Sequence, residues 1–143
     1  MQSAAQSSVA TTLQPKSKSA IWAGRIISII VVLFMVFDGV TKVIKDPHVL
    51  AASADLAFTA NAIQVIGVIV LFCTLLYAIP RTAILGAILL TGHLGGAVAV
   101  QLRVGHPAFE TIFPVIFGVL VWAGIFLREP RLRALVPLRK VAQ

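Results

Sequence analysis

Four runs of about twenty mostly apolar residues, each bounded by charge, proline or glycine, dominate the chain. Twenty residues at 1.5 Å each is the length that carries a helix across a hydrocarbon layer ~30 Å thick. A soluble domain of 143 residues has no interior large enough for 59% hydrophobic side chains with only 12% charged ones. The mean hydropathy of +0.98 agrees. The expectation is a small integral membrane protein, which excludes a disordered chain, a secreted domain and a nucleic-acid-binding module.

The order of the spans follows from the punctuation. Residues 1–19 (MQSAAQSSVATTLQPKSKS) are expected to form a flexible N-terminal tail, because this composition buries too little apolar area to offset its ordering entropy. The first span is expected over 20–44 and is stopped by Asp46-Pro47. Its apolar stretch from Ile21 to Val36 exceeds a usual signal-peptide core and has no small-x-small exit before Asp38, so it reads as a retained helix. Leu50, Leu56 and Phe58 in the connector suggest a short interfacial or re-entrant helix. Further spans are expected over 60–79, 81–102 and 108–127. Pro80 is expected both to end the second span and to start the third, and Gly105-His106-Pro107 turns the chain into the fourth. The transmembrane domain thus covers 20–128, and 129–143 is a basic cytoplasmic tail outside the core.

The expected fold class is all-α, a four-helix transmembrane bundle with both termini cytoplasmic. Lysine and arginine set this orientation, since cytoplasmic loops retain positive charge. Lys16, Lys18, Arg25, Arg81, Arg128, Arg131, Arg133, Arg139 and Lys140 fall on one side, against Lys42, Lys45 and Arg103 on the other. Trp22 and Trp122 suit interfacial anchors at the same face. The pI of 10.6 is then a matter of topology and attraction to anionic lipid. A nucleic-acid partner would want aromatic or groove-reading residues that are absent.

Ionisable and polar groups inside hydrocarbon are costly and usually face a bundle interior. Asp38 lies in the outer third of the first span, with Lys42 one turn on, a spacing that neutralises both. Gln64 with Asn61 opens the second span, Gln101 with Arg103 closes the third, and Glu110 opens the fourth. The polar groups therefore gather near the non-cytoplasmic end, while the other half is almost purely aliphatic. Two readings stay open: ordinary snorkelling and capping at a surface, or the polar mouth of a cavity between the helices. His93 falls near mid-membrane, where it is a packing residue, a proton-carrying or ligand-contacting residue, or an axial haem ligand. Haem is disfavoured, because His48 and His106 sit in outer loops and leave no second ligand at matching depth. Gly92 and Gly96 form a GxxxG pair that lets a neighbouring helix approach closely, bordering His93. The single thiol, Cys73, forms neither an internal disulfide nor a redox pair. No metal-ligand spacing occurs, and no nucleophile, base and orienter set is legible.

The stretches LYAIPRTAILGAILLTGHLGGAVAVQLRVGHP and FPVIFGVLVWAGIFLREPRLRALVPLR, with FDGVTKVI near residue 40, resemble the DoxX-like family of small bacterial four-helix membrane proteins. The resemblance covers about Phe34 to Arg139 and implies a four-helix bundle in the bacterial cytoplasmic (inner) membrane. Members of the wider superfamily resemble a quinone-linked small subunit of thiosulfate oxidation and a membrane partner in thiol-oxidative defence. The resemblance thus points toward membrane redox, although fold-level analogy carries no reaction. Where it implies histidine just before the LR that ends the third span, this chain has Gln101, which exchanges no protons near neutral pH. That departure speaks against a two-histidine relay.

Two functional expectations follow. In the first, the chain is a redox-associated accessory subunit rather than a complete enzyme. It binds a quinone-like or other apolar molecule, with His93 at a carbonyl oxygen and Asp38, Gln64, Gln101 and Glu110 forming a polar entrance. In the second it is a non-enzymatic scaffold packing against lipid, a larger membrane complex or a second copy of itself, through the GxxxG face and the basic tail.

Overall fold

With no water in a bilayer core to satisfy exposed N–H and C=O groups, a segment closes its backbone hydrogen bonds within itself or within a closed barrel. Continuous apolar runs of about twenty residues take the helical solution. The structure, a computed structural model, describes residues 17–135. It contains α1 (Lys18–Val43), α2 (Pro47–Ala52), a 3-10 turn (Ala54–Leu56), α3 (Ala60–Ala78), α4 (Ala83–Val104), α5 (Ala108–Arg128) and α6 (Pro130–Leu135), with no strand among the described residues. Helices α1, α3, α4 and α5 are each long and apolar enough to cross a membrane, as expected. Their outward side chains are those of a lipid-facing surface: Leu33 is 65% and Phe37 68% exposed. The tail up to Lys16, and Arg139 and Lys140 of the basic tail, lie outside the described residues.

The ends are built from local hydrogen bonds. Lys45 takes a left-handed conformation (φ 56°) after α1, so that Asp46 N–H reaches Thr41 O (3.0 Å) and Lys45 N–H reaches Lys42 O (3.2 Å). Asp46 then caps α2 through His48 N–H at 2.9 Å. Helix α2 and the 3-10 turn bury no residue and form a surface connector rather than a span. Gly105 (φ 75°) ends α4 in the same way as Lys45 ends α1, with His106 N–H on Gln101 O at 3.2 Å. Pro80 does not start α4, contrary to expectation. Thr82 N–H bonds Ile79 O (3.1 Å) and its hydroxyl bonds Leu76 O (2.8 Å), so residues 79–82 make a turn that satisfies the last carbonyls of α3, and α4 begins at Ala83.

The beginning of the expected outer tail also packs differently. Leu132 of α6 is buried in the core cluster. Arg133 donates Nε–H to Phe126 O at 2.7 Å and lies 5.3 Å above the Phe126 ring, satisfying a carbonyl at the end of α5. The Arg-Leu-Arg sequence therefore folds back on the bundle.

The four spans form a ring in which α1 and α4 each pack against α3 and α5, making α1 and α4 diagonal partners. Val31, Met35, Val70, Leu90, Val121 and Ile125 fill the interior. Phe34 of α1 stacks on Phe117 of α5 with ring centroids 4.1 Å apart. Glycines make the tight approaches. A Cβ on Gly24 would stand 2.8 Å from Leu127 Cβ, one on Gly67 2.8 Å from Gly39 O, and one on Gly86 2.5 Å from Tyr77 Cα. The interfaces α1–α5, α1–α3 and α3–α4 thus each bring one helix onto the other at a residue without a side chain.

The expected Gly92 and Gly96 pair does not work this way within the chain. Both are exposed, and among the described residues no atom of another helix lies within 4 Å of where their Cβ atoms would stand. The helices that neighbour α4 meet it along Gly86, Leu90 and Leu94 instead. Gly86→Ala is therefore expected to cost about 1–3 kcal/mol by forcing α4 off Tyr77, read as a lowered unfolding temperature in detergent. Gly92→Ala and Gly96→Ala should leave that temperature unchanged or slightly raised, since alanine is the better helix former.

Candidate functional site

Asp38 and Lys42 lie one turn apart on α1, and their side chains form a partly buried ion pair, 30% and 20% exposed respectively. Thr41 between them returns its hydroxyl to Phe37 O (3.0 Å) and Asp38 O (2.9 Å) and adds no donor to the site. His93 projects from the diagonal helix α4, half-buried, within Coulombic range of both charges. Counted from each helix's own end, Asp38 sits further out than His93, but α1 begins below α4. Arg25 and Arg81 face one pocket; from there Asp38 is ~20 Å and His93 ~18 Å along the respective chains. The bundle thus brings the Asp38–Lys42 pair and His93 to one depth. His93 makes no hydrogen bond to a described residue.

The other expected site residues divide. Gln64 donates its amide N–H to Val43 O at 3.1 Å, satisfying the end of α1 from α3. Asn61 Oδ1 accepts from Lys45 Nζ at 2.9 Å, and Arg103 donates to Leu56 O at 3.3 Å, tying the connector to α4. Gln101 Oε1 is buried without a hydrogen-bond partner among the described residues, two turns beyond His93. Glu110 is exposed, with Oε2 2.6 Å from His106 Nδ1, one turn before it. It belongs to the α4–α5 turn, whereas the charges that reach His93 are those of Lys42 and Asp38. Among the described residues no group of His, Cys, Asp or Glu is arranged to hold a metal ion.

The opening between α4 and α5 does not include His93. An apolar groove of about 620 Å³ runs between α4 and α5, walled by Gly95, Val98, Gly118, Val119, Trp122 and Phe126. His93 and Gly95 are two residues apart, hence ~200° around the helix, so one faces the bundle interior and the other the groove. Trp122 stands in the wall of this groove. Its Nε1–H bonds Thr91 Oγ1 at 2.8 Å, which in turn bonds Ala87 O at 2.7 Å.

A second polar cluster escapes sequence reasoning, in the half expected to be almost purely aliphatic. The fully buried Tyr77 donates its hydroxyl to Val121 O (2.9 Å) and meets Ser28 Oγ (3.3 Å), while Arg128 donates to Tyr77 O (3.3 Å). Gly124 faces both hydroxyls, leaving the room they need. Tyr77 is the chain's one tyrosine, but nothing in its neighbourhood announces a partner 49 residues away.

Replacing Asp38 with Asn leaves Lys42 without its carboxylate inside the bundle, which should destabilise by less than the ~3–5 kcal/mol typical of a fully buried pair. The double variant Asp38→Asn/Lys42→Gln is expected to recover most of the loss in thermal unfolding, a positive coupling in the double-mutant cycle.

The sequence model of the DoxX-like family matches residues 26–124. No curated protein and no solved structure matches the chain.

Proposed function

This chain belongs to the DoxX-like family, and from that premise we propose that it is an accessory, redox-associated subunit of the bacterial cytoplasmic membrane. In this reading it holds a quinone-like molecule by a hydrogen bond from His93. The observation that carries it is the pairing of a half-buried histidine, free of hydrogen bonds to described residues, with the Asp38–Lys42 ion pair across the bundle. An imidazole N–H is a donor suited to a carbonyl oxygen, and the neighbouring pair supplies a fixed local field. Gln64 is occupied at Val43 O. Gln101, ~12 Å further along α4, lies beyond the reach of a ring held at His93 and fits the entrance instead. A bound quinone supplies reversible two-electron, two-proton chemistry. The electrons come from a partner protein, because the chain's thiol, Cys73, is single and buried. Both termini are cytoplasmic in this proposal, as the lysine and arginine distribution demands.

The test is ligand identification by mass spectrometry and visible absorbance on protein purified gently from its native membrane. Wild type should retain a quinone that His93→Ala loses by about tenfold or more, the ~1.4 kcal/mol of one well-placed hydrogen bond. Lipid alone, equal in both proteins, would return His93 to a packing role.

The outward face of α4 favours a second reading, that of a scaffold subunit. Gly92, Gly95 and Gly96 meet nothing among the described residues, and Gly95 lines the apolar groove, so a partner's transmembrane helix could approach closely there. A cysteine placed by Gly96→Cys should then cross-link in native membranes to one recurrent protein or to a second copy, whereas uncross-linked monomer alone would remove this reading.

A further inference from the structure

At the end of the bundle opposite the connector, Arg25 of α1, Arg81 of the α3–α4 turn and Arg128 of α5 face a pocket of about 230 Å³, with Glu129 in the wall. Arg81 lies 56 and Arg128 lies 103 residues beyond Arg25 in sequence, and only the ring arrangement of the helices brings them together. None of the three guanidiniums has an ion-pair partner among the described residues, where the pairs are Lys42–Asp38 and His106–Glu110. Arg128 is held in place: it donates to Tyr77 O at 3.3 Å and lies 5.3 Å above the Tyr77 ring. Arg25 lies 5.8 Å above the ring of Trp22, a residue suited to the headgroup level. Three fixed positive charges against one carboxylate leave the pocket positive.

We propose that this pocket binds the phosphate of an anionic glycerophospholipid. Guanidinium groups match phosphate oxygens through paired N–H donors, and basic pockets between transmembrane helices take acidic lipid headgroups. The apolar part of the wall selects a lipid over a free anion. Ile21 and Ile84 flank the arginines, and Ile84 (41% exposed) continues into Ile88 (54% exposed) one turn deeper on the same face of α4. A phosphate at the arginines therefore leaves its acyl chain lying against isoleucine on the outside of the helix. The site is independent of His93 and of any quinone.

Native mass spectrometry of the full-length protein in detergent tests this, with phosphatidylglycerol and phosphatidylcholine of identical acyl chains as probes. Arg25 and Arg81 are exposed and make no hydrogen bond to a described residue, so Arg25→Gln and Arg81→Gln should leave the unfolding temperature unchanged. Each is expected to weaken phosphatidylglycerol binding about fivefold, with the double variant weaker still. Arg131→Gln, an exposed charge at the same end outside the pocket, should leave it unchanged, and phosphatidylcholine should bind all variants alike. Equal phosphatidylglycerol affinity in wild type and the Arg25→Gln/Arg81→Gln protein would overturn the proposal. So would displacement of the lipid by excess inorganic phosphate, which would assign the arginines to a soluble anion.

Discussion

In a hydrocarbon layer the hydrophobic effect that folds soluble domains has little left to do between helices, because lipid tails are as apolar as leucine. What holds this bundle together is close approach. At Gly24, Gly67 and Gly86 one helix lies directly on its neighbour, so that many weak dispersion contacts reach their optimum separation at once. The ring of four spans, the diagonal placement of α1 and α4, and everything that depends on that diagonal rest on these contacts. Move α4 off Tyr77 and both the hydroxyl cluster beneath it and the position of His93 change.

The interior polarity is split between two levels with different chemistry. Near the arginine-rich end, Tyr77, Ser28 and the Val121 carbonyl satisfy one another in a fully buried cluster, a rigid arrangement suited to fixing how α1, α3 and α5 meet. Toward the other end, the Asp38–Lys42 pair and His93 are only half enclosed, and the histidine makes no hydrogen bond to a described residue. A satisfied network specifies a structure, whereas a donor left over inside a membrane protein is a place where something else can bind. The ligand reading is therefore placed at His93 and not at Tyr77.

Helix α4 presents different chemistry on different faces. His93 lies within Coulombic range of the Asp38–Lys42 pair of α1, Gly95 lines the groove shared with α5, and Gly92 and Gly96 are exposed. Gly95 stands ~200° from His93, whereas Gly92 and Gly96 stand ~100° and ~60° from it, so a partner helix docked on that pair would pass beside the histidine. The GxxxG motif was easy to see in the sequence and easy to assign to the wrong neighbour, because a motif states that a close approach is available without stating which helix makes it.

Properties that live within one segment were legible from the sequence. Apolar runs of membrane-spanning length determined the all-α spans, the i, i+4 spacing determined the Asp38–Lys42 pair, and Gly105 determined the turn into α5. The helical period alone also separates His93 from the groove side of α4. What only the tertiary structure decided is which segments face each other: that His93 looks at α1, that Tyr77 closes on Ser28 and Val121, that Leu132 returns to the core, and that three distant arginines share a pocket. The physical reason is that a transmembrane helix apolar around nearly its whole circumference has no hydrophobic face to declare its orientation. Its rotation is set by where small residues permit contact and where a few polar groups find partners, and both are properties of pairs of helices.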